Sequence, residues 1–436
     1  MRLIAKLLVV IASTCFFVNA QKNYRIAPAF DLGGIEYFKE GFCFDIPYEY
    51  AALFLAPPVD GENGALSIAA SGEKRYRMKI NPDYRLPGGR KADAFSFLES
   101  WKKKSWWYKS YSSLIFGNVK GFSSVKSGSS YSIDGFIPVS RELLEIELVE
   151  PGPFFPAAFL DPFTGIQYFS PGEKRVVTGG DYLIDLSDEG IRLVSEVKSA
   201  MPEIILKEMN IDNKISSLKK GKIDAFELYN YDNLDYLRSS RKYDFTIKEF
   251  RKQNYFLALN RHSSGLHALF SESLDVYGLL PYKIFGNGTV GGNMDFPAAV
   301  SESASDGLLP EECSVIFQMS DTVSSIIADE IVSVLSEAGI DAAIYPLGYD
   351  DYYKALAQSE YTIAVAGISE AAFADRAFLR MFYNRYFADG GACVDPVNEG
   401  KKLIKSKRLF PLVTLIIYLV ENTDGVGADK VFSNRN

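Results

Sequence analysis

Histidine is almost missing from this chain. Its 436 residues include two, His262 and His267. Spaced by five, they do not share a helical face as a ligand pair would. So few imidazoles leave little from which to build a histidine metal centre or a nucleophile–histidine relay. The G-x-S-x-G elbow, the P-loop and H-E-x-x-H are absent as well. "GNGTVG" (286–291) matches G-x-G-x-x-G, but "GNMDFPAAV" follows, with Pro297 where the dinucleotide fingerprint needs a helix. It reads as a mobile loop. Carboxylates are plentiful but scattered, and no acid/base pair stands out. Basic excess is lacking too: the net charge is −8, against the basic face of a nucleic-acid binder. After the N-terminus no hydrophobic run reads as a span. "LFPLVTLIIYLV" (409–420) is β-branched, holds Pro411 and stops at Glu421, as a buried strand does.

What is present is a large globular composition, 47% hydrophobic and 23% charged, with 26 Tyr and 31 Phe. The length exceeds what one core usually supports, so two or three domains are expected. Residues 1–20 read as a cleaved secretory signal: Arg2 and Lys6, then "LLVVIASTCFFV" (7–18), then Val18 and Ala20 before Gln21. Its removal takes two positive charges, from −8 to −10. A lipid anchor at Cys15 is the less favoured reading, because Thr14 fits the lipobox poorly. Of the four cysteines, Cys43, Cys313 and Cys393 remain after cleavage. An exported protein permits a Cys313–Cys393 disulfide, and small buried thiols fit equally well.

Periodicity places strands at 75–80, 143–151, 254–260, 313–320, 340–347 and 361–367, and helices at 92–103, 267–280, 321–339 and 350–358. "GGDYLIDLSDEGIRLVSE" (179–196) reads as two strands turning through Asp188-Glu189-Gly190. "GPFFPAAFL" (152–160) reads as a short helix or turn, and "KKLIKSKR" (401–408) as a solvated helix end. In 203–228 a helix closes at Gly221 after Lys-Lys and leads into the strand "IDAF". Asp321 caps the helix of 321–339, Ile327, Ile331, Val334 and Leu335 form its apolar face, and the strands on either side make a βαβ unit with parallel pairing. The pattern is that of an α/β protein with two lobes.

The order of segments resembles the family 5 extracellular solute-binding proteins, the peptide- and nickel-type receptors of ABC importers. The resemblance runs over nearly all of the mature chain. It rests on "YRMKINPDYRLPGGRKADAFSFLESWKK" (76–103), with Gly89, Ala94, Phe97 and Trp101 matching and Ser96 in place of an Asp. It continues through "LLEIELVEPGPFFPAAF" (143–159), "TGGDYLIDL" (178–186), "LKKGKIDAF" (218–226) and "NYFLALN" (254–260). It closes with "SESLDVYGLLPYKIFGNG" (271–288), "ADEIVSVLSEAGIDAAI" (328–344) and "VENTDGVG" (420–427).

The resemblance implies a two-lobed periplasmic-binding-protein-like (type II) fold with an extra N-terminal α+β subdomain. Lobe 1 would comprise 21–257 with 409–436, carrying an inserted subdomain at 46–150, and lobe 2 would be 258–408. It implies a non-enzymatic, monomeric, periplasmic receptor without metal or cofactor, partnered by a membrane permease and holding a peptide-like or other small organic ligand between closing lobes. By matched position the ligand candidates are Asp31, Tyr231, Tyr255, Gly367, Ile368, Ser369 and Glu370. Peptide binders of the family carry Gly-Trp-x-x-Asp after the strand that here is "YTIAVAG", the Asp pairing with the peptide amino group. Here Ile368 stands at the Trp position and Ala371 at the Asp position. Glu370 is one residue off, and adjacent side chains of an extended segment point opposite ways. That departure motivates an alternative, a non-transport paralogue acting as a sensory, structural or protein-interaction module.

Overall fold

A computed structural model of the chain describes residues 23–28, 50, 65–86, 89–152, 155–170, 175–180, 182–187, 190–195, 202–207, 209–228, 237–238, 245–260, 264–273, 289–290, 294–295, 309–368 and 402–422. The expected signal segment, Cys15, Cys43, Cys393 and His262 lie outside these residues.

The chain enters with β1 (Tyr24–Ala27). The inserted subdomain then forms from β2 (Leu66–Gly72), β3 (Arg75–Ile80), α1 (Ala94–Trp107), α2 (Lys109–Phe116), α3 (Phe122–Lys126), β4 (Phe136–Ser140) and β5 (Leu143–Glu147). Two 3-10 turns, Phe155–Leu160 and Pro162–Thr164, lead back to β6 (Gln167–Ser170), β7 (Arg175–Thr178), β8 (Leu183–Ser187), β9 (Gly190–Val194) and β10 (Ile204–Leu206). Next come α4 (Ile211–Lys219), β11 (Ala225–Leu228), β12 (Phe245–Leu259), α5 (Ser264–Ser273) and the short pair β13 (Thr289–Val290) and β14 (Met294–Asp295). The remaining elements are β15 (Glu312–Gln318), α6 (Thr322–Glu337), β16 (Asp341–Leu347), α7 (Tyr349–Gln358), β17 (Ile363–Ile368) and β18 (Leu409–Asn422).

The subdomain is α+β: a four-stranded antiparallel sheet, β2-β3-β5-β4, backed by α1–α3. The period-2 pattern of "RYRMKI" puts Tyr76, Met78 and Ile80 inward. Arg77 pairs with Glu145 across the outer face at 2.9 Å. Asp93 caps α1 by accepting from the Ser96 amide at 2.9 Å. The helical stripe Phe97, Leu98, Trp101 is buried as its spacing requires. Trp101 lies 5.0–5.7 Å, centroid to centroid, from Phe97, Phe116, Phe136 and Phe159. Its indole N–H donates to the Thr164 carbonyl at 2.6 Å, so this large ring is buried without an orphaned donor.

Among the described residues twelve strands form one sheet in the order β16-β15-β17-β12-β18-β11-β1-β10-β9-β8-β7-β6. In the middle of this order β11, β1 and β10 run parallel, with the antiparallel strands β9-β8-β7-β6 beyond them; at the opposite end β16, β15 and β17 run parallel. The two sets are joined by β12 and β18, which pair antiparallel from Phe245↔Asn422 to Ala258↔Leu409. The β15–α6–β16 unit is the expected parallel βαβ, with Ile327, Ile331, Val334 and Leu335 all buried. β12 is twice as long as the expected strand at 254–260. Its first half, "FTIKEFRKQ", alternates over 245–248 and then loses the apolar period through Glu249, Arg251 and Lys252, so it carries a weak signal of a half-buried strand. The helix expected at 267–280 begins earlier, at Ser264, and the described part ends at Ser273, so His267 sits within the helix and not at its start. It is buried edge-on against Phe410 at 4.8 Å, and that burial pushes its pKa down. Cys313 is a buried free thiol with its pKa pushed up to about 11 by desolvation.

Candidate functional site

In an open α/β sheet the ligand edge is where the parallel strands present their carboxyl ends, because the loops that follow diverge there. Registers locate that edge in both halves of this sheet. In the first lobe β11 ends at Leu228, level with Tyr418 of β18, and Tyr418 is level with Glu249 of β12. In the second lobe β17 ends at Ile368, level with Asn254 of β12. The two carboxyl edges therefore face one another across residues 249–254 of β12 and 414–418 of β18. At about 3.4 Å per residue that stretch is roughly 17 Å long. Over Arg251–Gln253 the described pairing of β12 is with β18 alone, and it shifts register between Glu249 and Arg251. A two-stranded ribbon between two wider sheets is the kind of element about which hinge rotation takes place.

On the second-lobe side, Tyr255 lies directly opposite Gly367. Its ring is buried and its hydroxyl donates to Asp321 Oδ1 at 3.2 Å. Asp321 follows β15 and caps α6: Oδ1 also accepts from the amides of Val323 (3.1 Å) and Ser324 (3.3 Å), and Oδ2 accepts from Ser324 Oγ (2.7 Å). Burial pushes its carboxyl pKa up, against these hydrogen bonds, which pull it down. Gly367 sits in close quarters: a Cβ there would meet Gln253 Nε2 at 2.5 Å and Asp321 Oδ2 and Tyr255 Cε1 at 3.1 Å, so a side chain would have to displace the Gln253 amide and press on the other two. Gln253, Tyr255, Asp321 and Gly367 thus meet where the ribbon enters the second lobe.

On the first-lobe side, β1 and β11 are pinned together by Asp224. It takes the Arg25 amide (2.8 Å) and Nε (2.9 Å) on Oδ2 and Arg25 Nη2 on Oδ1 (3.1 Å). The Asp of "GKIDAF" therefore holds two parallel strands in register. Gly221 before it has φ +63, the left-handed conformation a helix end needs and glycine adopts freely. At the carboxyl ends of those strands sits Lys214 of α4, whose buried Nζ donates to the Pro28 carbonyl at 2.6 Å. Desolvation lowers its pKa to about 8, with Glu227 opposing the shift.

Of the sequence candidates, Tyr255 and Gly367 are brought together, and Ile368 ends β17 opposite Asn254. Asp31, Tyr231, Ser369, Glu370 and Ala371 lie outside the described residues. Asp31 comes after β1 and Tyr231 after β11, the two strands whose carboxyl ends Lys214 joins. Sequence reasoning passed over Gln253 and Lys214 and saw in Asp321 only a cap. The available signal was Lys214 on the stripe shared with Leu218, a charged residue at a core position of an amphipathic helix.

No family model matches the sequence, and no curated protein does. Solved structures do match its shape. The Escherichia coli murein tripeptide binding protein MppA aligns with a TM-score of 0.65 at 12% identity, over 95% of this chain and 96% of that one. Haemophilus influenzae OppA in complex with RPPGFSPFR aligns with 0.64 at 13%, over 93% and 95%. The substrate-binding domain of an oligopeptide ABC transporter from Bacillus anthracis aligns with 0.61 at 15%, over 92% and 95%. The fold is accordingly the two-lobed α/β architecture of periplasmic binding proteins, with the extra N-terminal α+β subdomain.

Proposed function

We propose that the chain is an exported solute-binding receptor of an ABC importer, capturing a peptide-like or other small organic ligand between its two lobes. The observation that carries this reading is the facing pair of carboxyl edges, joined by a ribbon about 17 Å long. Similarity in shape to peptide-binding proteins over more than nine-tenths of the chain supports it. Closure about the ribbon at 249–254 and 414–418 would bury the ligand, and a membrane permease would read the closed form. The residues that follow β1 and β11 in sequence, with Asp31 and Tyr231, would supply the first-lobe contacts. Tyr255, Gly367 and Ile368 at the end of β17, and Ser369 and Glu370 after it in sequence, would supply those of the second. Ile368 and Ala371, in place of the Trp and Asp of the family's peptide grip, favour a ligand without a buried terminal ammonium. They also motivate a second reading, a receptor that senses or scaffolds without transport.

A thermal-shift screen of the full mature chain against peptides, amino-acid derivatives and other small metabolites tests the binding role. At least one class is expected to raise the melting temperature in a dose-dependent way. A flat response across the panel would overturn capture of a small solute.

A further inference from the structure

Helix α7 belongs to the second lobe by its place in the chain, between β16 and β17. It packs against α2 of the inserted subdomain. Asp350, in its first turn, accepts on Oδ1 from the backbone amides of Ser110 (2.8 Å) and Tyr111 (3.1 Å). These are donors of the first turn of α2, which have no partner inside their own helix. The Tyr111 ring then lies 4.8 Å from Tyr349 and 5.0 Å from Tyr353 of α7. It also lies 4.9 Å from Phe163, and its hydroxyl reaches Asp161 Oδ2 at 3.4 Å. Phe163 and Asp161 belong to the turns that lead into the first lobe. One tyrosine is therefore the meeting point of the subdomain, the first lobe and the second.

The position of this contact matters. Among the described residues the chain itself crosses between the lobes through β12 and β18. The first residues of α7 follow β16, three strands away from β12 in the sheet, which is about 14 Å at ordinary strand spacing. They follow its carboxyl end, the side that faces the first lobe. A helix pair displaced sideways from a ribbon pivot is pulled apart, not merely twisted, when the lobes rotate about that pivot.

We propose that the α2–α7 contact, centred on Tyr111 and clamped by Asp350, is a latch. It is a third, non-covalent tether whose making and breaking sets the balance between open and closed arrangements of the lobes. The proposal rests on the two-lobed fold and on no particular ligand, so it stands or falls separately from the binding role.

The test uses the ligand-free full chain. Asp350→Ala removes the acceptor of both amides, whereas Asp350→Asn keeps an acceptor oxygen. Hydrogen exchange is read at 110–116 and 349–358, together with the radius of gyration from small-angle scattering. For Asp350→Ala, exchange in both helices is expected to speed up about tenfold, with a larger radius of gyration and unchanged exchange in α6. Asp350→Asn should stay close to the parent chain. Tyr353→Leu keeps apolar volume but loses the ring pair, and should open the molecule in the same way. Faster exchange in α2 alone, with an unchanged radius, would reduce Asp350 to a helix cap and overturn the latch. Loss of folding in both Asp350→Ala and Tyr353→Leu would overturn it too, since a contact the fold cannot do without is not one that opens.

Discussion

Lys214 occupies a position where the helical stripe of α4 calls for an apolar side chain, and its ammonium is covered by the ends of β1 and β11. Its pKa falls to about 8 in the folded protein from an ordinary value near 10.5. Between those two values the unfolded chain binds more protons, so stability rises with pH through that window, and below it the full cost of the buried charge remains. Lys214→Met should raise stability at pH 7 and abolish the rise between pH ~8 and ~10.5, a flattening of up to about 3 kcal/mol. Urea denaturation at a series of pH values measures it; an unchanged slope would show that another group carries the dependence. At this scale the sequence was only partly legible. Asp224 was visible as part of a pattern, but its two-point grip on Arg25 joins residues 199 apart in the chain, and no local rule contains it.

Among elements, α6 was the most legible. Its cap, apolar face and glycine end are all local, and all are found as expected. Asp321→Ala should cost about 1 kcal/mol through the cap, and more if the Tyr255 hydroxyl is left without an acceptor. Asp321→Asn keeps the cap, and its effect should depend on pH. Because burial raises the Asp321 pKa, the carboxyl group favours folding most below its unfolded value, and that contribution is lost as pH rises through the folded value. The asparagine variant should therefore gain on the parent chain between acid and neutral pH. Denaturation at pH 4 and pH 7 checks the sign, and an asparagine variant that loses ground on the parent chain between the two would contradict it. β12 was the least legible element. Its second half faces two neighbours and, after Asn254, is hydrophobic through Leu259, while its first half carries Lys248, Glu249, Arg251 and Lys252. Hydrophobic periodicity registers burial, and a ribbon at the junction of two lobes has little of it.

At the scale of the whole molecule, the ribbon and the α2–α7 contact act in opposite senses, one permitting rotation and the other resisting it. A ligand that touches both carboxyl edges should shrink the radius of gyration as it binds. At a hundred times its Kd it should add about 2.7 kcal/mol to stability. Scattering and calorimetry on one sample can be compared directly; stabilisation without compaction would place the ligand on a single lobe.

The alternation of apolar and polar residues determined the α/β class, the βαβ unit at 313–347 and the buried strand at 409–420, because strands and helices sort their faces against water within a few residues. Fragment order was enough to point to the two-lobed fold. Tertiary structure alone decided which residues share the site. Tyr255 within β12, Asp321 just after β15 and Gly367 near the end of β17 are more than forty residues apart in the chain, and their meeting depends on strand order and register. It alone decided, too, that a helix of the second lobe ends an aromatic cluster of the first, since contacts at that sequence distance are set by how whole layers pack and leave no local trace.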